Sequence, residues 1–196
     1  MAERKGIPTY YKGIRMRSRL ETLWARVFDA MNLKWIYEPT IEFASTCSEN
    51  YIPDFLLVDL GVLVEVKPTV SHLDELKDHP EVMRAARCCG SINMPLLAVG
   101  QSYVYWWIDA DAVLLGFTFH PDLIGAGTGY LQLMPGTKRH VTFVIAGDWD
   151  GSRNVTEWEC SFWRDHDIPM PNGPAFPDLW NHCVNANQWQ PKRRIP

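Results

Sequence analysis

The sequence predicts an α/β protein with a Trp-rich C-terminal extension, and three stretches carry that prediction. Residues 18–31 place Leu20, Leu23, Trp24, Val27, Phe28 and Met31 on one face at helical spacing. Residues 51–68, YIPDFLLVDLGVLVEVKP, read as two short apolar strands joined by a turn at Asp59-Leu60-Gly61. A second helical stripe, Val82, Met83, Ala86 and Cys89, follows, and further strand-like runs come after it.

In chain order, residues 1–15 read as a flexible basic lead-in, broken by Pro8 and Gly13. The first helix is expected from Ser18 to Met31. Ser18 with Glu21 three residues later is a capping-box pattern. Glu21 has two readings from this. Its carboxylate either serves the helix start, with Ser18 or Arg17 as partner, or reaches a site over the sheet from the border of the buried face. Residues 33–43 form a strand interrupted by Pro39, which places it at an edge or bends it there; Glu38 in it is expected to face solvent, with a contribution to the site as the alternative. Residues 44–50 are a polar loop, and Cys47 in it shows no partner signal.

Within the central hairpin, an even loop would place Asp54, Leu56 and Val58 on one face with Leu63, Glu65 and Lys67. Phe55, Leu57, Val62, Val64 and Val66 would then form the opposite, core face. An odd loop would send Asp54 to the far side. Two neighbouring carboxylates repel and desolvate each other. A divalent cation compensates this well, and hard oxygen ligands suit Mg²⁺ or Mn²⁺. Lys67 is placed to orient a water or neutralise charge on a phosphate. The plainer alternative is a buried ion pair between Lys67 and Asp54 or Glu65.

Pro68 ends the hairpin. Residues 71–78 read as a short helix carrying His72, Asp74, Glu75 and Lys77, with His72 expected at the surface. The next helix starts at Pro80 and stops at Gly90. Residues 95–99 and 103–108 read as two strands separated by Gly100-Gln101-Ser102, with Tyr103, Tyr105, Trp106 and Trp107 expected in packing roles. Residues 113–119 and 141–146 read as strands. The glycine-rich IGAGTG at residues 124–129 lacks the Lys-Ser/Thr of a phosphate-binding loop and reads as a flexible turn. Residues 176–187 suit a closing helix.

Pro53-Asp54, ten residues, then Glu65-Val66-Lys67 resembles the signature of the PD-(D/E)XK nuclease superfamily. The preceding helix with Glu21 and the strand ending in Tyr37-Glu38-Pro39 extend the likeness over roughly residues 15–110. The resemblance implies a restriction-endonuclease-like core of helix, mixed central β-sheet and helix over residues 1–120, with residues 121–196 packed on it. It implies that Asp54, Glu65 and the Val66 carbonyl hold Mg²⁺ or Mn²⁺, that Lys67 assists the attacking water, and that Glu21 joins the catalytic set. DNA is then the expected partner, with Arg15, Arg17, Arg19, Arg84 and Arg87 as candidate backbone contacts. The expected activity is metal-dependent DNA endonuclease activity, like that of small phage or mobile-element nucleases. A dimeric junction resolvase or transposon-end nuclease is the related alternative. A non-catalytic DNA-binding or assembly protein on the same scaffold is the alternative from another class.

The 196-residue chain is long enough for one good core, with 46% hydrophobic and 21% charged residues. No apolar run approaches a membrane span and no signal peptide opens the chain, so a cytoplasmic protein of a bacterial or phage-infected host cell is expected. The net charge of −4 hides a basic start, where Arg4, Lys5, Lys12, Arg15, Arg17, Arg19 and Arg26 face only Glu3 and Glu21. Lys192-Arg193-Arg194 forms a second basic cluster. Five cysteines without scaffold spacing, two of them adjacent at Cys88-Cys89, read as reduced thiols. Cys160, His166, His182 and Cys183 are zinc-ligand types, but their spacing fits neither a finger nor a ribbon.

Overall fold

A computed structural model describes residues 6–43, 47, 51–68, 74–105, 113–119, 130–134, 140–144 and 176–188. Helix α1 (Arg19–Ala30) starts where its capping signal lies. Ser18 adopts an extended backbone and its side chain accepts the Glu21 N–H at 3.1 Å. Trp24, Val27 and Phe28 are fully buried along its apolar stripe.

The chain forms a seven-stranded mixed sheet in the order β3 (Trp35–Tyr37), β4 (Phe55–Leu57), β5 (Val62–Val66), β6 (Leu96–Tyr105), β7 (Val113–Phe119), β8 (Tyr130–Met134), β9 (His140–Val144). Only β5 and β6 run parallel. Their crossover carries α2 (Asp74–Lys77) and α3 (Pro80–Gly90). Strand β3 lies at an edge but ends at Tyr37, short of Pro39, so the strand expected over 33–43 is cut to three residues.

The β4–β5 loop spans residues 58–61, an even number, with Gly61 at φ 64°. The register therefore pairs Phe55 with Val64, Leu56 with Leu63 and Leu57 with Val62. Phe55, Leu57, Val62, Val64 and Val66 pack beneath α1, as the alternation requires. The opposite face is not an open polar surface. Leu63, with Leu56 partly buried beside it, lies with Leu96 and Ala98 under Val82, Ala85 and Ala86 of α3. Strands β4–β6 are thus covered on both faces, and Asp54, Glu65 and Lys67 lie at one end of them.

Five further expectations change. First, residues 9–16 are no loose lead-in but a hairpin of β1 (Thr9–Tyr11) and β2 (Ile14–Met16). Lys12 and Gly13 both take positive φ, the requirement of a tight two-residue turn. Tyr11 anchors the hairpin by donating to Asp29 Oδ2 at 2.7 Å and stacking on Trp35. Second, residues 96–105 form one strand, not two; Gly100-Gln101-Ser102 marks a shift of register between Val99 and Val104. Third, β8 follows the glycine-rich stretch. Fourth, Gly90 is the last residue of α3 rather than its stop, and Ser91 caps the end. Fifth, Cys47 and Cys88 form a disulfide, with Cα atoms 5.2 Å apart. Adjacent helical residues point about 100° apart, so Cys88 turns to the loop while Cys89 remains a buried thiol.

Helix α4 (Phe176–Asn187) packs on α1, with Trp180 edge-on to Trp24 at 5.2 Å between ring centres. Asn187 donates to the Arg19 carbonyl at 2.8 Å. No helix among the described residues is long and apolar enough to cross a membrane.

Candidate active site

The covered strands leave an open groove of about 1120 Å³ beside the last residues of β5. Glu21, Asp54, Glu65, Val66 and Lys67 all line it. The fold therefore brings together every residue of the expected catalytic and metal-holding set.

Asp54 sits just ahead of β4 and is 3% exposed. Its N–H donates to the Val64 carbonyl, and its Oδ2 accepts the Val66 N–H at 2.7 Å. Its Oδ1 accepts from Arg17 Nη2. Burial and the nearby Glu65 charge push its carboxyl up to about 8, and Glu21 adds to the rise. The Val66 N–H and Arg17 oppose that shift without cancelling it.

Glu65 lies on β5 and is 5% exposed. Its Oε2 accepts from the Tyr51 hydroxyl at 2.7 Å, and its Oε1 lies 2.9 Å from Lys67 Nζ. Burial and the Glu65 charge drive the Tyr51 phenol well above its usual range, so it stays a donor.

Lys67 follows β5 and stays in register by donating its N–H to the Val99 carbonyl at 2.8 Å. Its Nζ bridges Glu65 and Glu81, which opens α3. Burial works against the ammonium charge, but the two carboxylates outweigh it and hold its pKa above the ordinary value. The hydrogen bond from Lys67 holds Glu81 below the usual carboxylate range. The plain ion-pair alternative thus holds for Lys67 with Glu65 but not with Asp54, whose cation is Arg17.

Glu21 serves the helix start and also lines the groove. Its Oε1 accepts from Ser18 Oγ at 2.8 Å, completing the cap. Its Oε2 accepts the Arg17 N–H at 3.0 Å and the Tyr37 hydroxyl at 2.6 Å. It remains at the groove wall and only 6% exposed. Burial and this hydrogen bond raise the Tyr37 phenol.

Of the basic candidates, Arg17, Arg19 and Arg84 line the groove, whereas Arg15 and Arg87 are exposed outside it. The Arg17 guanidinium meets two carboxylates, Asp54 through Nη2 and Glu38 through Nε at 2.9 Å. Glu38 is accordingly part of this ion cluster rather than a free surface acid. His72, Trp106 and Trp107 lie outside the described residues.

Tyr37, Tyr51 and Glu81 are the members of the network that the sequence pattern missed. The available signal was chemical: a buried carboxylate demands donors, and tyrosines lie just before Pro39 and Pro53 on the flanking segments. Cys160 and His166 lie outside the described residues, while His182 is exposed and Cys183 is buried against the core. Among the described residues no cluster of three or more His, Cys, Asp and Glu side chains is arranged to hold a metal. Comparison of the chain with protein-family models, curated proteins and solved structures returns no match.

Proposed function

We propose that this protein is a metal-dependent DNA endonuclease with a PD-(D/E)XK site on a restriction-endonuclease-like core. The observation that carries the reading is the pairing of two nearly buried carboxylates, Asp54 and Glu65, at one groove wall beside Lys67. Burial and the Glu65 charge push the Asp54 carboxyl up to about 8. Arg17 and Lys67 offset part of this paired charge, and a hard divalent cation would offset more of it.

The donor set fits Mg²⁺ or Mn²⁺, since Mg²⁺ uses one or two carboxylates and keeps its remaining positions for water and phosphate oxygens. Asp54 and Glu65 would hold the ion, with the Val66 carbonyl as a third donor. When bound, the ion supplies a lowered pKa for water and an offset for negative charge on the phosphate. The residues of the chain do the rest. Tyr51 fixes the Glu65 carboxylate by its 2.7 Å hydrogen bond. Lys67, kept charged between Glu65 and Glu81, orients the attacking water and faces the charge that builds on the phosphate. Glu21, held by Ser18, Arg17 and Tyr37, sets the negative potential of the groove wall. Arg19 and Arg84, at the groove, are the proposed phosphate contacts.

Nicking of supercoiled plasmid in Mg²⁺ tests the proposal. Asp54→Ala, Glu65→Ala and Lys67→Ala should each lose cleavage by about a hundredfold or more while keeping the wild-type unfolding curve within a few kcal/mol. Full activity in Asp54→Ala would sink it. Calorimetric Mg²⁺ titration separates this reading from a non-catalytic scaffold. Cleavage of branched DNA, together with sedimentation, separates it from a dimeric junction resolvase or transposon-end nuclease.

A further inference from the structure

We propose that Arg17 is a resident cation that changes partners, holding Asp54 while the groove has no metal and a DNA phosphate once a divalent ion has taken its place. This rests on the reading of the groove as a metal-dependent nuclease site. Asp54 has two oxygens with different commitments. Oδ2 is tied to the Val66 backbone N–H, which cannot leave without opening the sheet. Among the described residues, Oδ1 is tied only to the Arg17 guanidinium. The exchangeable position on Asp54 is therefore the one that Arg17 holds, and an incoming ion competes with it.

The rest of Arg17 is built for such an exchange. Its backbone N–H is shared between Glu21 Oε2 and the Tyr37 hydroxyl, each at 3.0 Å, and the next residue caps α1. The root of the side chain is fixed while the arm is not: the Arg17 side chain is 58% exposed and lies along the groove. Its second partner, Glu38, is itself 36% exposed, and exposed pairs of this kind hold weakly. A guanidinium offers the same planar fork to a carboxylate or to a phosphate. Lys67 has no such freedom, because it is clamped between Glu65 and Glu81. An ion that releases Arg17 frees it to meet a phosphate, so ion and DNA each strengthen the binding of the other.

The test measures binding rather than turnover. Mn²⁺ is titrated calorimetrically into the full chain and into Arg17→Gln, at alkaline pH so that no proton competes for Asp54. Duplex affinity is measured by fluorescence anisotropy with and without Mn²⁺, in the Lys67→Ala background to block cleavage. The expected result is that Arg17→Gln binds Mn²⁺ roughly 3- to 10-fold tighter without DNA and that the Mn²⁺-dependent gain in DNA affinity shrinks by a similar factor, leaving what the ion's own phosphate contact supplies. Arg17→Lys keeps the charge, guards against misfolding of the neutral variant, and should fall between. Equal or weaker Mn²⁺ binding by folded Arg17→Gln overturns the exchange while leaving the nuclease reading standing. Absence of Mn²⁺ binding by the wild-type chain overturns both.

Discussion

The raised Asp54 carboxyl sets the direction of a pH effect on folding. It moves from an ordinary 3.8 to about 8, chiefly through burial and then through Glu65. Between those values the folded state binds more protons than the unfolded one, so stability falls as pH rises and levels off above the folded value. The urea midpoint of the metal-free protein is expected to decline between about pH 5 and pH 8, with a total loss on the order of a few kcal/mol. Asp54→Asn should flatten that decline, and saturating Mg²⁺ should remove it. A midpoint that rises over the same range would contradict the assignment. At this scale the sequence was half legible. Asp54, Glu65 and Lys67 stand in a recognisable order, and the even loop places them together. Their partners were not legible, because Arg17, Tyr51 and Glu81 approach from a hairpin end, a loop and a helix start whose mutual placement is set by the whole fold.

Elements were easiest to read where a periodic stripe coincided with a stop signal. The capping box set the start of α1, Pro80 set the start of α3, and the closing helix expected over 176–187 matched α4. Reading failed where glycine was taken as a break. Gly13 is the turn of a hairpin, and Gly100 lies inside β6. Gly116 in β7 shows what a strand glycine can mean instead. It pairs with Val99, and a Cβ built there would lie 2.0 Å from the Ala98 carbonyl oxygen. That contact is with backbone, so a side chain can be admitted only by moving β6 from β7. Since β6 also pairs with β5, the strand that carries Glu65, the strain would reach the groove. Gly116→Ala is expected to lower stability by about 1–3 kcal/mol or more in urea unfolding and to weaken Mg²⁺ binding in parallel. Wild-type stability would show that the two strands are not so tightly apposed.

For the whole molecule, the open question is whether the C-terminal segment belongs to the same cooperative unit as the groove. Long-range joins of this kind are the least legible feature of a sequence: the Cys47–Cys88 disulfide crosses 41 residues and had no spacing signal. The late segment is rich in tryptophan, and such side chains need a surface to bury against. Trp180 of α4 meets that need by packing edge-on to Trp24 and joining the same buried cluster as Phe28, Phe55 and Val64. Trp24 in turn donates to the Gly100 carbonyl at 2.8 Å, so α4, α1 and β6 are linked through one aromatic pair. Asn187, one turn from the end of the contact, lines the groove and holds the Arg19 carbonyl. Trp180→Ala removes the aromatic ring and leaves a cavity over Trp24, a loss of about 3–5 kcal/mol. Because the cavity opens into the shared core, the loss should appear as one shifted urea transition, followed alike by tryptophan fluorescence and far-ultraviolet circular dichroism. Two separated transitions, one followed by each probe, would mean that α4 and the sheet with α1 fold as independent units.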